Sequence, residues 1–350
     1  MAQMIIPFFI VYQGCPNRCI YCNVHKTAGD SSEKITEDIF RNTVCKYLDH
    51  PKRKGNGAEI AFYGGNFTGM AKDRQTELLG FASPFIEKGL VHGVRISTRP
   101  DSINNESLGL MKRFGVTTVE IGAQSMVDEV LHLSNRGHAA SDVSAAMEML
   151  KERGFKTGIH LMTGLPGDSQ LGFEYTIAKT IALKPDMVRI HPTLVLQDTR
   201  LAELFLNGTY LPLSMREAID MCKYALKRFG EANIAVIRVG LQTTREMEMT
   251  GSIIAGPYHP AFRSLVEESM FFDMASAMLA DRMISEQEII FSLSPKDVSF
   301  FLGQKNKNMH VLKEIFRLTN IDVSVDPVQE RGTLAMIVDG RKYMTERFHH

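Results

Sequence analysis

The sequence predicts an α/β fold, a partial (β/α)6 TIM-type barrel followed by a small α+β C-terminal domain. Short β-branched or aromatic runs alternate with amphipathic helical stretches, which is the signature of βα units on a parallel sheet. Six such units fit before residue 240, whereas a full eight-stranded barrel needs about 250 residues. After the break Gly256-Pro257-Tyr258-His259-Pro260 the rhythm changes to short mixed elements.

Taken in order, strands are expected at 5–12, 59–63, 93–98, 117–122, 157–162, 187–192 and 235–239. Helices are expected at 36–48, 72–88, 102–114, 141–154, 173–183 and 214–230. Ser141 and Ser214 supply caps for helices that stop at Gly154 and Gly230. The domain reading is a barrel over 1–255, a linker and helical extension over 256–284, and the small domain over 285–350. In that last part the pattern reads strand 288–293, helix 295–302, loop 303–306, helix 308–318, strands 322–326 and 333–338, and a short basic helical end.

Bulk properties narrow the classes. Forty basic and forty acidic side chains cancel, with 44% hydrophobic residues. Global charge therefore makes no case for nucleic acid, though a local basic patch is compatible with it. Five cysteines, three of them crowded together, do not form a disulfide framework. The apolar start reads as a buried strand and not as a signal peptide, and no run approaches the roughly 18 apolar residues of a membrane span. A reduced, cytoplasmic setting without membrane contact is expected. The 20 methionines, mostly at helical spacing, read as core.

The chemistry concentrates in Gly14-Cys15-Pro16-Asn17-Arg18-Cys19-Ile20-Tyr21-Cys22-Asn23. This C-x3-C-x2-C spacing offers Cys15, Cys19 and Cys22 to one metal centre. A [4Fe–4S] cube normally takes four cysteines, so a cube held by three leaves one iron open to a small molecule. A Cys3His zinc site using His25 is the rival, and reactive thiols without metal are the third reading. Residues Phe62-Tyr63-Gly64-Gly65-Asn66-Phe67-Thr68 end the second strand, and paired glycines there admit a close backbone approach or a positive φ. Later strand ends carry Thr98, Arg99 and Asp101, then Glu120, Gln124 and Ser125, Arg136-Gly137-His138, His160, Gly164–Asp168, and Arg189 with His191. Ligands gather at this end of parallel strands. Cys45 and Cys222 lie in helical patterns and read as core thiols.

In order, Gly-Cys-Pro-Asn-Arg-Cys-Ile-Tyr-Cys-Asn, Phe-Tyr-Gly-Gly-Asn-Phe-Thr-Gly, Ser-Thr-Arg-Pro-Asp, Ile-Gly-Ala-Gln-Ser-Met, Arg-Gly-His and Met-Thr-Gly-Leu-Pro-Gly-Asp are similar to motifs of the radical SAM superfamily. The likeness is to its coproporphyrinogen-oxidase-like and Elongator-subunit-3-like branch, over roughly residues 4–280. The resemblance implies an oxygen-sensitive [4Fe–4S] cluster on Cys15, Cys19 and Cys22, with S-adenosylmethionine (SAM) as co-substrate. It implies Gly64 and Gly65 at the methionyl amino group and Tyr21 beside the adenine. Gln124 and Arg136 match ribose or carboxylate contacts, and His160 stands where the branch often has a ribose-binding aspartate.

Such enzymes cleave SAM reductively to a 5′-deoxyadenosyl radical that abstracts hydrogen from a substrate. They take electrons from a flavodoxin- or ferredoxin-type reductant and favour anaerobic conditions. Elongator-like relatives modify the wobble uridine of tRNA. The tail, with Gly303-Gln304-Lys305-Asn306 between two helices, is similar to a KH RNA-binding module. RNA is accordingly the leading expected substrate and partner; a tetrapyrrole or other small molecule is the alternative, and a non-catalytic zinc- or cluster-bearing RNA-binding protein the rival class. The residues after Asp281 are too few for the acetyltransferase domain of those relatives, so acetyl transfer is not implied.

Overall fold

The seven expected strands each form, and they pair in parallel. In the computed structural model, which describes residues 4–23, 35–49, 57–241, 251–284 and 287–347, they are β1 (Met4–Phe9), β2 (Ala58–Tyr63), β3 (Val91–Thr98), β4 (Val116–Gln124), β5 (Lys156–Thr163), β6 (Met187–Pro192) and, after the short β7 (Val195–Leu196), β8 (Ala235–Val239). The sheet order is β1-β2-β3-β4-β5-β6-β8. It curls into an open partial barrel with β1 and β8 at its free edges. A two-stranded ribbon pairs β7 with β9 (Ile253–Ala255).

Alternation along the strands decides the two faces. Ile6, Phe8, Ile60, Phe62, Val94, Ile96, Val119, Ile121, Ile159, Leu161, Val188 and Ile190 are all buried. They form the outward face, on which helices pack. The strand register places the intervening residues on the other face, and many of them are charged: Glu59, Arg95, Glu120, His160, Arg189.

The helices between strands are α1 (Glu37–Leu48), α2 (Lys72–Glu87), α3 (Asn105–Arg113), α4 (Asp128–Leu133), α5 (Ala140–Glu152), α6 (Gln170–Ala182) and α7 (Arg200–Leu206). Side-chain caps start several of them: Thr36 for α1, Asn104 in a capping box with Ser107 for α3, and Ser169 for α6. The first strand stops earlier than expected. Tyr12 takes φ +53° and Gly14 +74°, so the chain has already turned before the first cysteine.

The chain divides into two units, one holding residues up to 214 together with 234–258, the other 215–233 with 259–350. The helix α8 (Met215–Glu231) belongs to the second unit by its contacts. So does the segment read as a linker, because α9 (Phe262–Ala280) puts Phe271, Met274, Met278 and Leu279 into that unit's core. The remaining elements are β10 (Glu288–Leu293), α10 (Val298–Leu302), α11 (Lys307–Ile315), β11 (Asn320–Val325), β12 (Thr333–Val338) and β13 (Arg341–Glu346).

The sheet order here is β11-β10-β12-β13, with β10 and β11 parallel and the other pairs antiparallel. The basic end expected to be helical is instead strand β13, whose alternating residues pair along the full length of β12. In the loop between α10 and α11, Lys305 and Asn306 adopt positive φ. The backbone N–H of Gln304 donates to Glu268 Oε2 at 3.2 Å. Among the described residues no helix is long and apolar enough to cross a membrane.

Candidate active site at the mouth of the barrel

The loop after β1 carries Cys15, Cys19 and Cys22, all free thiols, at the C-terminal rim of the sheet. The loop after β2 locks against it through the backbone. Tyr12 N donates to Gly64 O at 3.2 Å, and Asn66 N to Gln13 O at 2.9 Å. Gly64 has φ +83°. A Cβ on Gly65 would lie 2.4 Å from Ile10 O, and one on Gly14 would lie 2.1 Å from Asn66 O. Both glycines are therefore required by the contact between the two loops themselves.

Asn66 completes the joint. Its Nδ2 donates to Gly14 O and to Ser102 Oγ, each at 2.8 Å, while Oδ1 accepts from Thr98 Oγ1 at 2.6 Å and Arg99 N at 3.1 Å. All its hydrogen-bonding capacity is used in a fully buried position. Asn66 thus serves as a fastener between the cysteine loop and the end of β3.

Arg136 reaches the cysteine loop from the segment after α4. Its Nη1 donates to Cys19 Sγ at 3.0 Å and Nη2 to Gly122 O at 2.5 Å, while Nε is buried without a partner. Gln124 closes β4 with φ +70°, a strained conformation for a residue with a side chain. The Gln124 amide nitrogen and the Arg136 guanidinium both lie near the Cα of Gly122, where a Cβ would come within 3.0 Å and 3.4 Å of them. Tyr21 is half-buried with its hydroxyl enclosed and unpartnered, and desolvation pushes its phenol well above the ordinary range. His138 is buried beside Arg136 and Arg99, and burial with those charges pushes it down to about 4.

The inner face below this rim holds a buried ionic cluster. Glu120, completely buried, accepts from Arg95 Nη1 at 2.7 Å and Arg189 Nη2 at 2.9 Å, and pairs with His160 Nε2. Tyr63 OH donates to the same carboxylate at 3.3 Å and accepts from Arg189 Nη2 at 2.8 Å. Glu59 takes Arg95 Nε at 2.7 Å and the hydroxyls of Thr117 and Thr118 at 2.9 and 2.7 Å. Burial would push the Glu120 carboxyl up, but His160, Arg189 and Arg95 outweigh it and hold it well below the usual carboxylate range. His191, enclosed near His160 and Arg189, is pushed down to about 3, chiefly by burial.

The structure thus gathers Cys15, Cys19, Cys22, Gly64, Gly65 and Arg136 at the rim, with Gln124 beside Arg136. His160 lies deeper, its Nε2 committed to Glu120. Sequence reading passed over Glu59, Arg95 and Arg238 and took Tyr63 only as a strand end. The available signal was a charged residue at the same alternate position of successive apolar strands.

Among the described residues no three Cys, His, Asp or Glu side chains converge tightly enough for a single metal ion. His25, the proposed fourth zinc ligand, lies outside the described residues. An iron–sulfur cube makes a different demand, because each thiolate goes to its own iron and the sulfurs stay apart. Three free thiols on one rim loop, a buried guanidinium already at one of them and a tightly closed diglycine turn fit that group.

The description "Radical SAM superfamily" matches residues 9–179, and "Radical_SAM C-terminal domain" matches residues 185–271. A tRNA uridine(34) acetyltransferase of Methanocaldococcus jannaschii is 39% identical over 134 residues, covering 37% of this chain and 25% of that protein. The protein of the same name from Dehalococcoides mccartyi is 30% identical over 233 residues, covering 57% and 50%. The chain therefore spans between a quarter and a half of these relatives. The solved archaeal Methanocaldococcus infernus Elp3 lacking its N-terminus superposes with TM-score 0.58 at 23% identity, over 77% of this chain and 63% of that one. The cysteine motif, the open parallel barrel and the two adjoining matches agree: this chain belongs to the radical SAM superfamily.

Proposed function

We propose that the chain is an enzyme that cleaves SAM reductively at the rim of the barrel and directs the radical at an RNA nucleotide. The carrying observation is the interlock of the cysteine loop with the Gly64–Gly65 turn, with Arg136 reaching Cys19. Cys15, Cys19 and Cys22 would hold a [4Fe–4S] cluster, whose chemistry would be one-electron reduction of the SAM sulfonium, breaking its C5′–S bond to release methionine and a 5′-deoxyadenosyl radical that takes hydrogen from the substrate.

The chain's own residues prepare the place for this chemistry. Gly64, at φ +83°, and Gly65, packed against the Ile10 and Gln13 carbonyls, hold the turn after β2 closely against the base of the cysteine loop. Arg136 and Gln124 offer a guanidinium and an amide to a carboxylate or ribose, and the unpartnered Arg136 Nε and Tyr21 hydroxyl are buried donors that a ligand would satisfy. The apolar outer face, packed under its helices, gives these groups a stiff base from which to exclude water. A flavodoxin- or ferredoxin-type protein is the proposed electron source. RNA is favoured because the relatives above are named for tRNA uridine, and the barrel is the part of them that this chain shares.

Anaerobic reconstitution tests the reading. About four irons per chain and 5′-deoxyadenosine formed from SAM and dithionite are expected, with both lost in Cys19→Ala. Colourless protein with one zinc would overturn it. Formation of 5′-deoxyadenosine should accelerate with unmodified tRNA; an unchanged rate removes RNA as substrate while leaving SAM cleavage in place. Lys305→Glu with Lys307→Glu in the same assay reads whether the second unit adds RNA affinity, a fall in apparent affinity being expected.

A further inference from the structure

Among the described residues the inner face of the barrel carries three arginines against two carboxylates. Arg95, Arg189 and Arg238 face Glu59 and Glu120 across β2, β3, β4, β6 and β8. Arg95 bridges both carboxylates, and Glu120 is further shared with His160 and Arg189. Arg238 is left over. It lies in direct register with Arg189 on the neighbouring strand, so parallel pairing points both side chains to the same side. Among the described residues it forms no ion pair. Burial and the adjacent Arg189 outweigh the attraction of Tyr63 and Glu120 and hold its guanidinium below the ordinary arginine range.

Two guanidiniums side by side on a half-buried surface repel each other, and a partly desolvated cation without a contacting counter-charge is costly. β8 is the edge strand of the sheet, and Arg238 on it is half-buried. An oxyanion between the two groups converts the repulsion into bidentate, charge-assisted hydrogen bonding, for which guanidinium is well matched to phosphate. The Arg189 side chain is 15% exposed, so the site is open to a ligand entering the barrel. His191, neutral and with Nε2 buried and unpartnered, lies two residues further along β6 toward the rim.

We propose that Arg189 and Arg238 together seat a phosphate group of the substrate, the backbone phosphate of the nucleotide on which the barrel acts. The inference rests on the RNA reading for the identity of the phosphate's owner, and on the arginine pair alone for the existence of the anion site.

Isothermal titration of the anaerobically reconstituted full chain with uridine 5′-monophosphate, uridine, inorganic phosphate and succinate tests it. The nucleotide should bind at least tenfold more tightly than uridine. Arg238→Gln should erase that margin and weaken inorganic phosphate at least tenfold, and Arg238→Lys should retain most of the binding. Thermal melting supplies the second reading: without ligand, Arg238→Gln should melt at or above the wild-type temperature, because it relieves a like-charge contact.

Wild-type affinity for phosphate in Arg238→Gln overturns the proposal, as does absence of any phosphate or nucleotide binding by the wild type. A lowered melting temperature in ligand-free Arg238→Gln also overturns it, because the arginine is then structural. Succinate binding more tightly than phosphate overturns the assignment to phosphate. If inorganic phosphate binds through Arg238 but the nucleotide gains nothing over it, the anion site stands and the RNA reading falls.

Discussion

Asn66 Nδ2 donates to the carbonyl of Gly14 at 2.8 Å, joining two loops that are 52 residues apart in sequence. Together with the backbone bonds from Tyr12 N to Gly64 O and from Asn66 N to Gln13 O, this bond holds the base of the cysteine loop on the end of β2, and the opposite end of the same amide grips Thr98 and the backbone of Arg99. A small, fully satisfied side chain therefore helps to set the position of the cysteine loop relative to the diglycine turn.

Replacing it should be costly. Asn66→Ala leaves the Gly14 carbonyl and the Thr98 hydroxyl without these partners, a loss of about 1–3 kcal/mol per buried group left unsatisfied. The expected outcome is a lower melting temperature together with iron loading reduced to less than half of wild type. Full loading in a stable variant would show that the loop holds its shape without the fastener.

Glycine substitutions separate packing from propensity. Gly65→Ala drives a Cβ to 2.4 Å from Ile10 O and should destabilise the protein whether or not SAM is present. Gly80→Ala, in the middle of α2 with no atom within 4 Å of the added carbon, should stabilise by about 0.5–1 kcal/mol through backbone entropy. Chemical denaturation of the two variants reads opposite signs. A neutral Gly65→Ala would mean that the loop contact is loose in solution.

The ionic cluster is sensitive to loss of its shared carboxylate. Glu120→Gln leaves Arg95, Arg189 and His160 competing for the remaining acceptors inside the barrel, and breaking a buried pair in this way costs about 3–5 kcal/mol. Urea unfolding should show the free energy of unfolding fall by that amount, through a lower midpoint at an unchanged slope. A shift below 1 kcal/mol would place water, rather than Glu120, at the centre of the network.

Acid dependence is predicted for the loop after β5. Burial pushes Asp168 up to about 6 from 3.8, although its carboxylate accepts from the backbone N–H of Gly164 at 3.2 Å and of Ser169 at 2.9 Å. The folded state then binds this proton more tightly than the unfolded chain. Its contribution to stability is greatest below pH 3.8 and falls as pH rises through about 6. Melting temperatures measured between those limits should show a downward slope with rising pH that Asp168→Asn removes. An identical slope in both proteins would assign the dependence to other groups.

Much of the barrel was legible because its chemistry is local. A strand buried on its outer face must alternate or run apolar, a helix must repeat its apolar stripe, and three thiols within one short loop have few other uses. The errors fall where local signals are weak. The end of β1 was read three residues too long because Ile10 and Val11 continue the apolar run, while the turn is imposed by Tyr12 and Gly14 meeting the second loop. The last element was read as a basic helix, yet β12 offered an open edge that β13 pairs along its whole length.

By itself the sequence determined the parallel βα architecture, the cysteine triad and the diglycine turn, since periodicity and ligand spacing are properties of the chain. Tertiary structure alone decided that Gly65 is demanded by Ile10 and Gln13, that Asn66 is a fastener, that His160 turns inward to Glu120, and that Arg238 stands beside Arg189. These are contacts between strands and loops distant in sequence. Their energies depend on burial and on which charges share a small enclosed volume, and no local pattern encodes either.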